Sequence, residues 1–324
     1  MAVYTDAPDY AETLTEATPD LTVGGAPTAV RPVLDTLLGE RAVVASTPLE
    51  DPFWDHLVVS RNAPDSQYAR LVGLLRSGTL VPDRLACVAR TGGAFQGFNG
   101  RTWSGGVGNL HLTVHLAPRQ PIERFETVFL ALAAVAVIEA LDGLPGLSGR
   151  CQIKWVNDLL IDGAKVGGVL AHTQTRGAAV TSVVLGIGVN VTTAPAVAPT
   201  AFVPAITCLR EHATAPAALT TGRVMRAVLG ALGGAYEALL VEGYRPLLDR
   251  YRARSSVLGR EVLVSEDRAD EATRVLAAGR VTAIGDGLEL RLEGHADPVR
   301  RGRAILHACT RAGARTRMRM QYAS

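Results

Sequence analysis

The sequence has few of the residues from which disulfide or zinc frameworks are built. Its four cysteines, Cys87, Cys151, Cys208 and Cys309, lie far apart, with no CxxC pair and no histidine at ligand spacing. Disulfide scaffolds and structural zinc sites need cysteines at short, regular spacings. The scattered pattern argues against both kinds of framework and favours a reducing, cytoplasmic location.

A strong net charge, an export signal and a membrane-spanning run are also lacking. The formal net charge is +2, which gives little reason to expect a nucleic-acid partner. The first 20 residues are acidic and lack the apolar stretch of a signal peptide. The longest apolar run, 128–141, is too short to cross a bilayer and contains Glu139. We therefore expect a buried helix there and no membrane partner.

The chain is long enough for two domains and is apolar enough to fold. It has 324 residues, of which 48% are hydrophobic and 20% are charged, as in ordinary globular proteins. Changes in composition and in the pattern of predicted helices and strands divide the chain into four regions. These are a poorly ordered N-terminal arm (1–48), a main domain (49–256), a small domain (257–310) and a basic flexible tail (311–324).

The pattern of short strands and helices predicts an α+β fold with a mixed, largely antiparallel sheet. β-branched runs between 50 and 210 alternate with helical patterns, one of them near 122–142. Two further helices are predicted at about 221–241 and 244–254. The last strands are short and punctuated by glycine, which predicts a small β-barrel.

One predicted hairpin carries an unusual group of charges. It turns at Asp162-Gly163, a favoured tight-turn pair. A continuous first strand would place Lys154 and Asp158 on one face, with Lys165 beside them on the returning strand. Two lysines next to a carboxylate suit a phosphate group whose charge changes during reaction. From spacing alone, the alternative is a solvated sheet face with ordinary surface ion pairs.

Glycines in the neighbouring strands favour a ligand at this place. The second hairpin strand contains Gly167-Gly168, and the segment GIGVN contains Gly186, Gly188 and Asn190. Glycine positions in a strand, which have no side chain, are expected where a ligand lies against the backbone. Each glycine taken alone is equally well explained by a β-bulge.

A third glycine-rich element, 90–113, is predicted to be a mobile loop. Its single Arg101 could contact an anion and its Trp103 could cover an apolar group. The alternative is an ordinary loop whose tryptophan packs in the core. The sequence has neither a Walker P-loop nor a clear dinucleotide fingerprint.

Four motifs, in this order and spacing, resemble those of one known family. The segments GRTWSGGVGNLHLT, KWVNDLL, GAKVGGVL and GIGVNV are similar to the catalytic domain of biotin protein ligases, whose fold is of the class II synthetase type. The predicted terminal barrel resembles the SH3-like C-terminal domain of that family. The similarity covers roughly residues 55–307.

The resemblance implies an ATP-dependent carboxylate–amine ligase. Such enzymes form an acyl-adenylate from biotin and ATP with Mg²⁺, and then transfer the acyl group to a lysine of a biotin carboxyl carrier protein. A homodimer is also plausible, because the predicted sheet has exposed edges.

The resemblance also assigns roles to residues of this chain. Lys154 and Asp158 would lie beside the adenylate, and Lys165 would contact a phosphate. The full set is catalytic Lys165, Lys154, Asp158 and Arg101; substrate-binding Ser60, Arg61, Asn62, Gly92, Gln96, Phe98, Gly168, Gly186 and Gly188; nucleotide-binding Trp103, Asn157 and Asn190; and no metal ligand.

The loop departs from the family pattern, which usually reads QxxGRGRxGRxW. Gln96 and Phe98 stand where arginines usually meet the biotin carboxylate and the phosphates. Gly92 replaces a glutamine and Phe95 replaces a glycine. Of the usual cations, this loop keeps Arg101.

A second departure lies upstream, where the family's Ser-Thr-Asn element appears as Ser60-Arg61-Asn62. An arginine inside a pocket adds bulk and a charge that needs a partner. Either an acidic or strongly polar ligand supplies that partner, or the side chain of Arg61 points to solvent.

Three functions therefore stay open on the sequence. The chain is a biotin protein ligase with a divergent loop, a ligase of the same adenylating chemistry that uses another acid or a small-molecule amine, or a non-catalytic binding protein. The retained Lys154, Asp158, Lys165 and Asn190 argue against the third, because a simple binder has no need of the nucleotide half of the site.

Overall fold

A mixed β-sheet with helices on both faces forms the body of the molecule. The computed structural model describes residues 1–16, 21–22, 26–39, 43–45, 51–266 and 274–306. The α-helices are α1 (Pro8–Thr15), α2 (Arg31–Leu37), α3 (Gln67–Arg76), α4 (Val128–Asp142), α5 (Thr221–Glu242) and α6 (Tyr244–Ala253). The strands are β1 (Ala2–Thr5), β2 (Leu21–Thr22), β3 (Val43–Ala45), β4 (His56–Ser60), β5 (Ala63–Asp65), β6 (Leu85–Ala89), β7 (Gly92–Gln96), β8 (Thr102–Gly105), β9 (Leu110–Leu116), β10 (Gln120–Pro121), β11 (Cys151–Lys154), β12 (Asp158–Ile161), β13 (Ala164–Arg176), β14 (Ala179–Val189), β15 (Glu261–Ser265), β16 (Val275–Ile284), β17 (Leu290–Leu292) and β18 (Arg303–Leu306).

The largest sheet is mostly antiparallel, as predicted. Its strands follow the order β11-β12-β13-β14-β9-β6-β4-β1-β3-β2, and β10 pairs with β14. Strand β4 runs parallel to β1 and to β6. The long central pairs β13–β14, β14–β9 and β6–β9 are antiparallel. The predicted α+β fold class is therefore confirmed.

Helix α4 lies at the centre of the core on one face of the sheet. Its residues are apolar on all sides, and a helix of that kind is stable when it is covered all round. It packs between helices α5 and α6 and strands β11 and β13. The buried helix predicted for 128–141 is confirmed, although it begins at Val128 and not near 122.

Helices α2 and α3 cover the opposite face. Their buried residues Val33, Leu34 and Leu71 pack against Val58 and Cys87 of the sheet. Helix α3 begins at Ser66, whose Oγ accepts a hydrogen bond from the Ala69 amide at 3.4 Å. An N-cap serine is a common helix start. It fixes the first turn of α3 beside strands β9 and β14.

The prediction of a poorly ordered arm at 1–48 is wrong for the residues that the structure describes there. Strand β1 lies inside the large sheet between β4 and β3, and its Val3 and Tyr4 are fully buried. Helix α1 packs on α5, where Leu14 is fully buried. Because β1 is paired on both sides, its backbone groups are satisfied and its short apolar sequence suffices to order it. The tail 311–324 lies outside the described residues.

The two predicted helices near the end of the main domain are confirmed as α5 and α6. Helix α5 is long and apolar enough to cross a membrane, but 50% of its most apolar stretch is buried inside the fold. Core helices of globular proteins share this property.

A second, four-stranded antiparallel sheet follows α6, in the order β17-β16-β15-β18. Its buried Val262, Val264 and Leu290 belong to the same hydrophobic cluster as α4. The indole Nε1 of Trp155 donates to the Leu288 carbonyl at 2.6 Å, and so ties the main sheet to the small one. The small sheet that was predicted is present, while the boundary at 257 and the SH3-like character stay predictions.

Candidate active site

The charged hairpin differs from the prediction in one respect. Residues 151–161 are not one continuous strand, because Trp155, Val156 and Asn157 form a turn between β11 and β12. Lys154 and Asp158 therefore lie directly opposite each other across an antiparallel pair. The turn at Asp162-Gly163 is present, with both residues at positive φ. The predicted proximity of Lys154 and Asp158 arises from cross-strand pairing and not from a shared strand face.

Lys154, Asp158 and Lys165 form a buried charged cluster. Lys154 is 5% exposed and Asp158 is 7% exposed. The Lys165 ammonium donates to Asp158 Oδ1, and the Lys154 Nζ lies 3.9 Å from Asp158 Oδ2. Lys154 also donates to the carbonyl of Phe202. A buried carboxylate between two ammonium groups meets the requirement that buried charges be paired.

The cluster sets the protonation of its members. Burial alone would raise the pKa of the Asp158 carboxyl, but Lys165 and Lys154 outweigh it, so the pKa lies below its usual value. Burial lowers the pKa of the Lys154 ammonium to about 8, although Asp158 opposes this effect. At neutral pH the cluster therefore carries two cations and one anion, a net positive charge.

These are the two lysines of the whole chain, in which lysine and arginine together number 33. Everywhere else the cation is an arginine. An ammonium is a compact charge that fits between backbone and ligand oxygens, whereas a guanidinium is a broad plane. The placement of both lysines in one buried cluster favours a chemical role over ordinary surface pairing.

A cleft with an empty volume of about 620 Å³ opens beside the cluster. We call it the first cleft. The residues that line it are Ser66, Gln67, Tyr68, Phe95, Gln96, Phe98, Arg101, Trp103, His111, Leu112, Thr113, Asn157, Lys165, Gly168, Val169, Leu170, Gly186, Ile187 and Gly188. Its walls combine aromatic, aliphatic and glycine residues with a comparable number of polar side chains, which suits a small molecule that has both apolar and polar parts.

Glycines of β14 make the floor of the first cleft. A Cβ at Gly188 would lie 2.5 Å from the Trp103 ring, so the indole packs directly on the backbone there. A Cβ at Gly186 would lie 3.2 Å from the Tyr68 ring. Only glycine permits this close approach at position 188. The Trp103 and Tyr68 rings therefore cover these glycines, and the idea that a ligand lies against their backbone stays a prediction.

A second cleft, with an empty volume of about 780 Å³, adjoins the first. Its lining residues are Arg101, Thr102, Trp103, Ser104, Lys165, Asn190, Pro195, Val197, Ala198, Thr200, Val203, Ile206 and Arg303. Arg101, Trp103 and Lys165 line both clefts. The two clefts therefore meet at a cationic point, with the Lys165 Nζ 5.8 Å from the centre of the Trp103 ring.

Asn190 offers a hydrogen-bond acceptor at the second cleft. Its side-chain Nδ2 donates to the Thr207 carbonyl at 3.0 Å. Its Oδ1 is buried and has no hydrogen-bond partner among the residues that the structure describes. A buried polar atom without a partner is costly unless a ligand or water satisfies it.

Both the sequence and the fold of this chain are similar to those of known proteins. The profile of the biotin/lipoate A/B protein ligase family matches residues 72–190. The biotin–[acetyl-CoA-carboxylase] ligase of Paracoccus denitrificans is 31% identical over 189 residues, which are 56% of this chain and 75% of that protein. This chain belongs to the biotin/lipoate protein ligase family. The bifunctional ligase/repressor BirA of Bacillus subtilis is 34% identical over 43% of this chain and 37% of its own length.

Solved structures share the fold of this biotin/lipoate ligase family member. The biotin protein ligase of Aquifex aeolicus, in complex with biotin and ATP, superposes with a TM-score of 0.58 at 21% identity. The match covers 78% of this chain and 99% of that one. A biotin protein ligase-like protein of unknown function from a Silicibacter species gives a TM-score of 0.55 at 14% identity, over 76% and 94%.

Most of the predicted site residues lie at the clefts. Lys165, Arg101 and Trp103 line both, and Asn190 lines the second. Asn157, which was predicted to bind nucleotide, lines the first cleft and not the second. Gln96, Phe98, Gly168, Gly186 and Gly188 also line the first cleft. Lys154 and Asp158 line two smaller cavities next to the clefts.

The prediction for Ser60, Arg61 and Asn62 does not fit the structure, since none of them lines these cavities. The Arg61 guanidinium points to solvent, 51% exposed, and pairs with Asp9 at 2.8 Å. Ser60 is fully buried and accepts a hydrogen bond from the Gln67 side chain at 2.9 Å.

The polar segment at the first cleft is Ser66, Gln67 and Tyr68, which the sequence analysis missed. A sequence signal existed, because a serine before the periodic run QYARLVGLL marks a helix start. The N-terminal turn of α3 faces the cleft, while the end of β4 does not.

The segment 90–113, predicted to be a mobile loop, contains a β-hairpin in which β7 pairs with β8, and β7 also pairs with β5. Gly92 does not line the cleft. A Cβ at Gly92 would lie 2.5 Å from the Phe95 ring, and one at Gly105 would lie 2.7 Å from it. Phe95 is buried and its ring centroid lies 4.8 Å from that of His111. The aromatic ring therefore takes the space that a side chain at position 92 would need.

No group of three or more His, Cys, Asp or Glu side chains that could hold a metal occurs among the described residues. Asp158 lines the two smaller cavities next to the clefts, and its oxygens already contact two lysines. This donor set does not form a metal cage.

Proposed function

We propose that this protein activates a carboxylic acid, biotin by default, as its acyl-adenylate and transfers the acyl group to a lysine of a carrier protein. The observation that carries the proposal is the cluster of Lys154, Asp158 and Lys165 where two clefts meet. One cleft then holds the acid and the other holds ATP. The chemistry happens between them, next to the lysines.

The first cleft suits the acid and the second suits ATP. The first is bounded by the aromatic rings of Tyr68 and Trp103, which lie against the backbone of Gly186 and Gly188, and such walls fit an apolar chain with a polar end. The second contains the unpartnered Oδ1 of Asn190, an acceptor that an exocyclic amine such as that of adenine would satisfy. Both inferences rest on lining residues and burial.

Activation of the acid is a displacement at phosphorus. A carboxylate oxygen attacks the α-phosphorus of ATP, the bond to the bridging oxygen of the β-phosphate breaks, and pyrophosphate leaves with the electron pair. Negative charge accumulates on the oxygens during this step. Lys165 and Arg101, which line both clefts, are placed to stabilise it, and Asp158 fixes the Lys165 ammonium.

In the second step, the amine attacks the acyl carbon, the bond to the AMP oxygen breaks and AMP leaves. The proton of the amine is released to water. An ionised carboxylate is a poor electrophile, so the adenylate is what makes amide formation possible. We expect Mg²⁺ to enter with the phosphates of ATP, where it would neutralise their charge.

The acceptor, the oligomeric state and the domain division are finer parts of this proposal. A carrier-protein lysine follows from the family, and a small-molecule amine is the alternative acceptor. A homodimer and a cytoplasmic location stay predictions, as does the division of the chain at residue 257.

Acid-dependent exchange of pyrophosphate into ATP tests the proposal directly. The purified protein with Mg²⁺ is assayed with biotin and then with a panel of other carboxylic acids. Exchange with biotin supports a biotin-activating enzyme, and exchange with another acid alone supports the repurposed ligase. Absence of exchange with every acid, in a protein that is folded and binds ATP, would reject an adenylating function.

A further inference from the structure

The side-chain amide of Asn190 has a fixed direction. Asn190 lines the second cleft and is 1% exposed. Its Nδ2 donates to the Thr207 carbonyl at 3.0 Å, while its buried Oδ1 has no hydrogen-bond partner among the residues that the structure describes. A carbonyl oxygen only accepts hydrogen bonds, so Thr207 must face the NH₂ end of the amide. The end that is left for a ligand is therefore the oxygen, an acceptor.

The Thr207 carbonyl that fixes this amide is itself held by the backbone of Lys165. The segment 205–207 pairs with Lys165 in parallel orientation. The Lys165 amide donates to the Ala205 carbonyl, and the Thr207 amide donates to the Lys165 carbonyl, both at 2.9 Å. Thr207 is 4% exposed. One short segment therefore orients the Asn190 amide and supports the main chain of a cluster lysine.

A chain of hydrogen bonds anchors the side chain of Thr207. The Arg150 guanidinium donates to His212 Nδ1 at 3.0 Å, and His212 Nε2 lies 2.8 Å from Thr207 Oγ1. The Thr207 hydroxyl donates to Glu211 Oε2 at 2.7 Å. Because His212 Nδ1 accepts from Arg150, the hydrogen of the neutral ring is on Nε2, which donates to Thr207. The donors therefore all point the same way, from Arg150 towards Glu211.

Arg150 and His212 are joined at more than one atom. The Arg150 Nη1 donates to the His212 carbonyl at 2.9 Å. Asp162 Oδ2 lies 3.3 Å from His212 Nδ1 and also accepts from Arg150 Nη2, so the guanidinium is fixed by the hairpin turn. Arg150, His212 and Thr207 line neither the first nor the second cleft. They therefore act on a ligand in the second cleft through Asn190 and not by contact.

We propose that Thr207 and His212 are positioning residues that make the second cleft select adenine over a base with a carbonyl at the same place. This inference rests on the proposed function, in which the second cleft holds ATP. The adenine amine donates to Asn190 Oδ1, whereas the carbonyl of hypoxanthine or guanine would face that oxygen as a second acceptor. A fixed amide disfavours the carbonyl because both acceptors stay unpaired. A loosened amide can turn its NH₂ end towards the carbonyl.

A pair of nucleotides tests the proposal. ITP carries a ring carbonyl in place of the exocyclic amine of ATP, and its ribose and phosphates are the same. Affinities for both are measured by calorimetry with Mg²⁺ for the wild type, Thr207→Val and Thr207→Ser. Thr207→Val keeps the shape of the side chain but removes the hydroxyl that Glu211 and His212 share. Thr207→Ser keeps the hydroxyl and should behave as the wild type.

The ratio of the two affinities is the decisive quantity. The wild type should bind ATP about tenfold or more tightly than ITP, the effect of leaving a buried acceptor unpaired. In Thr207→Val the ratio should fall to about threefold or less, because the Asn190 amide is no longer held in one direction. A shift of the Lys165 main chain would weaken both nucleotides alike and leave the ratio unchanged. An unchanged ratio in Thr207→Val would overturn the proposal.

Two further variants separate positioning from general damage. His212→Phe keeps a ring in place but removes both nitrogens, so it should lower the ratio as Thr207→Val does, and it decides the question if Thr207→Val does not fold. Thr5→Val is the control, because Thr5 is fully buried, accepts from the Ala7 amide at 2.8 Å and lies in β1, far across the sheet from β14. It should keep the wild-type ratio. An equal loss in Thr5→Val would contradict a specific role of Thr207.

The binding ratio is independent of the test for adenylation. If the wild type prefers ATP to ITP but exchanges pyrophosphate with no acid, the adenylating function fails while the variants still decide the role of Thr207. If exchange is active and the wild type binds ATP and ITP equally, this inference fails while the adenylating function stands.

Discussion

The lysine cluster and the outer walls of the first cleft are built in different ways, and the difference explains how well each could be predicted from the sequence. The catalytic side is made by residues close together in the chain, since Lys154, Asp158 and Lys165 lie on three consecutive strands. The outer walls of the first cleft are made by α3 and by the hairpin of β7 and β8, which come from separate segments. Pairing between consecutive strands positions the lysine cluster, whereas packing between distant segments positions the outer walls of the first cleft.

The comparison predicts that changes in the lysine cluster have the largest effect. Lys165→Met keeps the length of the side chain but removes its charge, and it leaves Asp158 with one cation less. Pyrophosphate exchange should fall about 100- to 1000-fold, as when a preorganised charge-stabilising donor is removed. Exchange at the wild-type rate would contradict the assignment of Lys165 as a catalytic residue.

A change behind the wall of the first cleft, next to Phe95, should act mainly through packing. A Cβ at Gly92 would lie 2.5 Å from both the Phe95 ring and the Ala63 carbonyl oxygen, so Gly92→Gln must displace the ring and shift the backbone. We expect a loss of about 1–3 kcal/mol in the free energy of unfolding, the usual cost of overpacking. Urea unfolding measures it.

Two further variants sharpen that prediction. Gly93→Ala is the matched control, because a Cβ at Gly93 meets its nearest atom at 3.5 Å, an ordinary contact. Gly92→Ala adds the Cβ alone and should lose nearly as much stability as Gly92→Gln, because that Cβ itself would lie 2.5 Å from the Ala63 carbonyl oxygen and from the Phe95 ring. If Gly92→Gln costs no more than Gly93→Ala, the idea that Phe95 fills this space is wrong.

The pH dependence of the reaction should distinguish Lys154 from an ordinary cation. Burial lowers the pKa of Lys154 to about 8, so in the free protein its charge is present below that pH and is lost as the pH rises through it. The kcat/KM for ATP should therefore fall on the alkaline side of about pH 8. In Lys154→Arg, this decline should move to higher pH, because a guanidinium does not lose its proton there. An identical profile in the variant would exclude Lys154 as the titrating group.

The same shift has a consequence for stability. The unfolded lysine titrates at its ordinary pKa of 10.5, so between about pH 8 and pH 10.5 the unfolded chain binds more protons at this site than the folded one. The contribution of Lys154 to the free energy of unfolding therefore becomes more favourable to the folded state as the pH rises through this window.

The smallest effect is expected at Arg61, which the sequence placed in the substrate site. Its guanidinium is 51% exposed and pairs with Asp9 on α1, and exposed pairs contribute little. Arg61→Ala should change the KM for acid and ATP by less than about twofold. A tenfold rise in the KM for the acid would show that Arg61 turns into the first cleft when substrate binds.

The sequence by itself determined the α+β class, the buried helix at 128–141 and the identity of the charged cluster. These features depend on local periodicity, on a turn at Asp162-Gly163 and on residues adjacent in the chain. Even there, one detail needed the structure, since the turn at Trp155–Asn157 makes Lys154 and Asp158 cross-strand partners. The family motifs could be recognised in the sequence because the residues of each motif lie close together in the chain.

Only the tertiary structure decided which distant segments complete the site. It placed β1 inside the sheet, turned Arg61 outward, brought Ser66 to the first cleft and put Arg303 beside the second. Each of these depends on which face of a helix or strand is buried against a partner far away in the chain. Local sequence does not encode that choice, because it is made by the packing of the whole core.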